Sequence, residues 1–150
     1  MSSDVLIPID AQEPELSNQA LQMAVAQALY HQGDLHILTV VPGFNMPMVA
    51  SYFPDDAMEH ALNAVDSKLR GFIKDHVPDA IHTHLHVKSG NPYKQIIRLA
   101  KKLETAMIVI PSLKHGRVDK VLLGSVASKV VERANCSVLV VREHPSRDSH

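Results

Sequence analysis

The sequence has 150 residues, of which 45% are hydrophobic, 15 are Lys or Arg and 16 are Asp or Glu, so its formal net charge is -1. This length and apolar fraction predict one compact domain, residues 1–150, with a full core and a flexible tail over 143–150. The balanced charge, with no basic run among aromatic residues, excludes a nucleic acid and an anionic membrane as expected partners.

A single cysteine, Cys136, leaves no possibility of an intramolecular disulfide. The sequence also has no recognisable signal peptide and no apolar stretch of about 18 residues that could span a bilayer. These features predict a cytoplasmic protein without a membrane partner.

Two strands and one helix are predicted in the first 41 residues. Val5 to Ile9 is a short apolar run typical of a buried strand. Ser17 to Gln32 has apolar residues at helical spacing, and Gly33 is expected to close this helix as its C-terminal cap. Leu35 to Val41 is the second predicted strand.

The middle of the chain repeats this alternation. Apolar residues from Met58 to Phe72 share one face of a second predicted helix, which Pro78 ends. Ile81 to Val87 is the third predicted strand. Asn91-Pro92 supplies a cap and a first-turn proline for a third helix that continues to Leu103.

The last third of the chain adds Met107 to Ile110 as strand four, Ser125 to Ala134 as a helix and Ser137 to Val141 as strand five. Strands that alternate with helices imply right-handed crossovers and a parallel sheet covered on both faces. The sequence therefore predicts an α/β fold, a doubly wound sandwich with five parallel strands.

Ligands of such folds bind beyond the carboxyl ends of the strands. Asp10 follows strand one and is placed to hold a nucleoside, although an acid there is equally typical of a turn. Gly124-Ser125 opens the last helix, whose unpaired N–H groups and positive dipole end suit a phosphate. The alternative for Ser125 is a helix N-cap without a ligand.

Four segments in the same order and spacing resemble the universal stress protein family. They are Val5-Leu6-Ile7-Pro8-Ile9-Asp10, Ser89-Gly90-Asn91-Pro92, Leu122-Leu123-Gly124-Ser125-Val126 and Cys136-Ser137-Val138-Leu139-Val140-Val141. The resemblance implies strand order 3-2-1-4-5, a cytoplasmic stress-response role, dimers or tetramers, and ATP, with or without Mg²⁺, bound at a loop written G-x2-G-x9-G-[S/T].

The resemblance also implies which residues contact ATP. Pro8, Ile9 and Asp10 match the segment at adenine and ribose, and Val40 matches the apolar residue beside the base. The helix start would meet the phosphates, together with the loop before it. The phosphate-side residues are Pro111, Ser112, Lys114, Gly116, Gly124, Ser125, Val126 and Ala127.

Pro111 and Lys114 stand where the family pattern has its first two glycines. Proline has no N–H to donate, whereas a lysine ammonium can meet a phosphate as a point charge. Two functions therefore remain open: an ATP-binding stress-response regulator, or a dimeric interaction protein that has lost nucleotide binding. No catalytic motif is present, which favours a binding module with at most weak ATP hydrolysis over an enzyme.

Strand five, Ser137 to Val141, is a hydrophobic strand without internal charge, and the resemblance implies that it lies at a sheet edge. An uncovered edge of this kind invites pairing with another chain. The family pairs this strand across a two-fold axis, which implies a homodimer, and a tetramer if two dimers assemble.

Three histidines, His82, His84 and His86, alternate along predicted strand three. Alternation sends them to one face, where the resemblance again implies an edge. Side chains two residues apart on a strand are separated by about 7 Å, too far for three to share one ion. A half-solvated polar face is therefore favoured over a metal site.

Overall fold

The computed structural model describes residues 2–41, 56–112 and 123–142. The expectations for Lys114, Gly116 and the 143–150 tail fall outside these residues. The elements in chain order are β1 (Val5–Pro8), a 3-10 helix (Pro14–Ser17), α1 (Asn18–His31), β2 (Leu35–Val41), α2 (Ala57–His76), β3 (Thr83–Ser89), α3 (Pro92–Leu103), β4 (Met107–Pro111), α4 (Ser125–Arg133) and β5 (Ser137–Val141).

The five strands form one parallel sheet in the order β3-β2-β1-β4-β5, which confirms the predicted fold and topology. Alternate side chains of the central strand β1 point to opposite faces of the sheet. Val5 and Ile7 pack with α1 and α2 in one apolar layer, and Leu6 packs with α3 and α4 in the other. All three are fully buried, because β1 has helices on both sides.

The end of α1 differs in detail from the prediction. The left-handed residue that ends this helix is Gln32 (φ 56°), not Gly33. Gln32 N–H donates to the Leu29 carbonyl and Gly33 N–H to the Ala28 carbonyl, the paired bonds of a Schellman motif. Gly33 has a different requirement: a Cβ there would overlap the backbone carbonyl of Ser3.

The third strand begins later than predicted, at Thr83. Ile81 N–H donates to the Pro78 carbonyl in a turn, and the chain first bonds to the sheet at His82, whose carbonyl accepts from Leu35 N–H. In contrast, the start of α3 is as predicted. Asn91 Oδ1 accepts a hydrogen bond of 3.2 Å from Lys94 N–H, and Pro92 occupies the first turn.

Within the described segments, no helix combines the length and the apolar character needed to cross a membrane.

Candidate functional site

A cleft of about 480 Å³ opens at the carboxyl ends of β1, β2 and β4. Helix α1, which follows β1, packs on one face of the sheet, whereas α4, which follows β4, packs on the other. The neighbouring strands β1 and β4 thus send their connections to opposite sides. The cleft lies at this switch point, where open α/β sheets bind ligands.

The cleft has mostly apolar walls. Its described apolar lining includes Leu38, Val40 and Val41 from β2, Val65 from α2 and Ile96 from α3. Among the described lining residues, Asp10 is the one that carries a charge. An apolar pocket of this volume with a few polar groups is typical of a small-molecule site.

The segment after β1 brings Pro8, Ile9 and Asp10 to the cleft. Ile9 N–H donates to the Leu38 carbonyl over 2.8 Å, which holds this segment beside β2. Asp10 is exposed, and its Oδ1 accepts a hydrogen bond of 2.9 Å from Gln12 N–H. The carboxylate therefore shapes the turn and also faces the cleft.

The start of α4 forms another wall, and Gly124, Ser125, Val126 and Ala127 all line it. Gly124 occupies the N-cap position (φ -59°, ψ 158°), so Ser125 is the first helical residue and not the cap. Because glycine has no side chain, no side-chain acceptor caps the first N–H groups of α4 from this position. These groups and the helix dipole favour an anionic ligand.

The end of β4 agrees only in part with the predicted phosphate side. Pro111 is the last residue of β4 and lines the cleft. Ser112 is not among the described lining residues, and its backbone N–H donates to the Val141 carbonyl of β5 over 2.9 Å. Lys114 and Gly116 lie outside the described residues; of the ten predicted positions that the structure describes, nine line the cleft.

Ser17 is a cleft residue that the sequence did not indicate. It is only 1% exposed, and its Oγ has no hydrogen-bond partner among the described residues. Val65 and Ile96 were also missed as lining residues, because helical spacing marks them as core without saying which core residues reach the cleft. The signal available for Ser17 was weak, since serine before a helix is usually a cap.

Comparison with known proteins gives consistent matches. The family model for the universal stress protein family matches residues 1–142. Universal stress protein G of Escherichia coli O157:H7 is 31% identical over 144 residues, which cover 95% of this chain and 100% of that protein.

Solved structures also resemble this chain. Universal stress protein UspA from Lactobacillus plantarum superposes with a TM-score of 0.68 at 26% identity, over 94% of this chain and 98% of that one. A universal stress protein crystallised in complex with cAMP has a TM-score of 0.60 at 20% identity, over 94% and 97% of the two chains.

The sheet order and the cleft at its switch point define a doubly wound α/β protein. Within this class, the matched family model and the 31% identity to universal stress protein G identify the family. The chain belongs to the universal stress protein family.

Proposed function

We propose that this protein is an ATP-binding regulatory module of the cytoplasmic stress response, and that the cleft is its nucleotide site. One observation carries the proposal: the cleft joins the segment after β1, the end of β2 and the start of α4 in a single space. An adenosine and its phosphates need these surfaces together, an apolar wall for the base and N–H donors for the anion.

The adenosine end is assigned to β1 and β2. Ile9 and Val40 offer apolar surface to the base, and Asp10 offers a carboxylate oxygen to the ribose hydroxyls. A hydrogen bond to a charged group contributes about 1.5 to 3 kcal/mol. Ser17 Oγ, buried without a described partner, is available to a polar atom of the ligand.

The phosphate end is assigned to the start of α4. Backbone N–H groups of Ser125, Val126 and Ala127 would donate to phosphate oxygens with the helix dipole behind them. The described lining contains no Lys or Arg, so these amides carry the assignment. The crystallised relative in complex with cAMP supports an adenine nucleotide as the ligand class.

A second function is favoured by Pro111, which lines the cleft without an N–H to donate. Under this alternative the chain is a dimeric interaction protein that no longer binds nucleotide. In both cases we propose a homodimer through β5, an edge strand that pairs, among the described strands, only with β4.

The two functions are separated by nucleotide content and calorimetry. Purified protein is denatured and any released nucleotide identified by chromatography; nucleotide-free protein is then titrated with ATP and Mg²⁺, and separately with cAMP. We expect adenine nucleotide binding with ATP preferred. Absence of released nucleotide together with no heat from either ligand would establish the second function instead.

Site variants test the assignment within the cleft. We expect Asp10→Ala to weaken ATP binding about 10- to 100-fold, because a charged hydrogen-bond acceptor is lost. Ser125→Ala should weaken it less, since the backbone donors remain. Asp75→Ala, which removes an exposed carboxylate at the end of α2, is the matched control and should bind like the parent. Equal affinities for Asp10→Ala and Asp75→Ala would refute the adenosine assignment.

A further inference from the structure

A cluster of polar side chains lies around the amino ends of β2 and β3, at the end of the strands opposite to the cleft. The register pairs His36 with His84, and it pairs Leu35 with Thr83, the first residues of the two strands. The residues just before these strands are therefore neighbours too. The cluster consists of Asp4, Asp34, His36, His82, His84 and His86.

The inner members of this cluster bond to one another. His36 is 5% exposed, with Nε2 3.0 Å from Asp4 Oδ2 and Nδ1 3.0 Å from His86 Nε2. Its ring stacks on that of His84 at a centroid distance of 4.5 Å. Burial, with a contribution from the nearby His36, lowers the pKa of His86 to about 4. Contacts of His36 and His86 thus stabilise the inner side of the cluster.

The outer members have the arrangement of metal ligands. Asp34 Oδ2 lies 2.9 Å from His84 Nε2 and 3.4 Å from His82 Nδ1, and the three atoms all lie within 4.8 Å of one another. Four ligands placed tetrahedrally 2.0 to 2.1 Å from Zn²⁺ are separated by about 3.3 Å. Two of the three separations are thus close to what one ion requires.

The backbone holds two of these ligands in place. Asp34 N–H donates to Asp4 Oδ1 over 2.9 Å, and the Asp34 carbonyl accepts from Val5 N–H over 2.9 Å. The His82 carbonyl accepts from Leu35 N–H over 3.0 Å. Because both residues are anchored to neighbouring strands, ion binding would require adjustment mainly of side chains.

We propose that Asp34, His82 and His84 form a binding site for a divalent transition-metal ion of the zinc class, which joins the amino ends of β2 and β3. Two imidazoles and one carboxylate suit Zn²⁺, Co²⁺ or Ni²⁺, whereas Mg²⁺ and Ca²⁺ prefer oxygen ligands alone. The side chain of His82 is 74% exposed, so water has access to complete the coordination.

The spacing of His82, His84 and His86 in the sequence argued against a metal site. An extended strand would separate His82 from His84 by about 7 Å. His82 lies just before β3, which begins at Thr83, and its ring centroid lies only 4.5 Å from that of His84. Asp34 completes the set from a segment 50 residues away in the chain.

The test uses the full chain without a polyhistidine tag, freed of metal, titrated with ZnCl₂ in a calorimeter. We expect the parent to bind Zn²⁺, and His82→Ala and Asp34→Asn each to lose this binding or to weaken it more than 10-fold. Loss of a residue that only hydrogen-bonds to a metal ligand weakens metal binding about 10- to 100-fold, and loss of a ligand itself should weaken it at least as much. Co²⁺ reports the ligand set independently through its visible absorption.

The chain contains ten histidines, so a histidine outside the cluster is the necessary control. His31→Ala removes an exposed histidine at the end of α1 and should bind Zn²⁺ like the parent. Circular dichroism of each variant checks that the fold is retained, and His82 is exposed enough that its replacement leaves the core intact. The proposal is overturned if the parent does not bind Zn²⁺, or if His82→Ala and Asp34→Asn bind it as tightly as His31→Ala.

Discussion

Gly33 and Gly71 show how differently the fold uses the same residue type. Gly33 packs against the backbone of Ser3, where a Cβ would overlap the carbonyl oxygen. Gly71 lies on the exposed side of α2, and a Cβ there would meet no atom within 4 Å. There is no room for a side chain at Gly33, whereas the glycine at position 71 only lowers the helix propensity of α2.

Alanine substitutions should therefore have opposite effects at these two glycines. We expect Gly33→Ala to lower the free energy of unfolding by about 1 to 3 kcal/mol, because the backbone near Ser3 must shift. Gly71→Ala should raise it by up to about 1 kcal/mol, the helix propensity difference between the two residues. Urea denaturation measures both changes, and a stabilising Gly33→Ala would contradict the close approach to Ser3.

Individual histidines also show the limit of reading residues one at a time. The alternation of His84 and His86 correctly indicates one face of β3, but the partners of these residues come from elsewhere. His36 and Asp34 are separated from them by 50 positions in sequence and meet them only through the β2–β3 register. No local pattern in the sequence contains that pairing.

At the scale of elements, β5 is the edge of the sheet on the β4 side. Ser112 N–H donates to the Val141 carbonyl, so the backbone groups of Val141 face β4. Directions alternate along a strand, and the backbone groups of Val138 and Val140 therefore face away from β4. These outward groups are the ones available to a second copy of the chain.

The proposed dimer can be tested at Val138. Val138→Pro removes an outward N–H without breaking the β4–β5 ladder, a position where edge strands tolerate proline. Val138→Ala keeps the N–H and loses a comparable part of the side chain, so it is the matched control. We expect the parent and Val138→Ala to be dimers at micromolar concentration by light scattering, and Val138→Pro to shift toward monomer. A monomeric parent would rule out the β5 interface.

At the scale of the whole molecule, the cleft and the histidine cluster lie at opposite ends of the strands. Strand β2 runs from Leu35 beside the cluster to Val41 at the cleft, a span of about 20 Å at 3.3 Å per residue. Sites this far apart without shared ligand residues are expected to be energetically independent. The proposed nucleotide site and the proposed metal site are thus separate.

Independence predicts a reciprocal pattern in the variants. His82→Ala should bind ATP with the affinity of the parent, and Asp10→Ala should bind Zn²⁺ with the affinity of the parent. Calorimetry measures each ligand against the other site's variant, with metal absent from the first titration except Mg²⁺. A change of more than about threefold in either case would indicate coupling through β2 or the core.

The order of elements could be read from local periodicity, whereas most of the cleft positions were expected from the resemblance to the universal stress protein family. Apolar runs and helical spacing placed all five strands, and the rule that ligands bind at carboxyl ends selected Asp10 and the start of α4. Spacing was less reliable at the margins: Leu29 belongs to the predicted apolar face of α1 but is 51% exposed. Residues at the two sides of an apolar helix face share its spacing, and periodicity alone does not say which side the sheet covers.

What the sequence by itself determined is the alternation of strands and helices, the parallel sheet that this alternation requires, and the residues at the strand ends. The alternation follows from the spacing of apolar residues along the chain, and a strand–helix–strand order requires the crossovers of a parallel sheet. The tertiary structure decided that Ser17 borders the cleft with a hydroxyl that has no partner among the described residues, that Ser112 N–H bonds to β5, and that Asp34 meets His82 and His84. Such contacts join distant segments, and their geometry exists only once the register of the sheet is set.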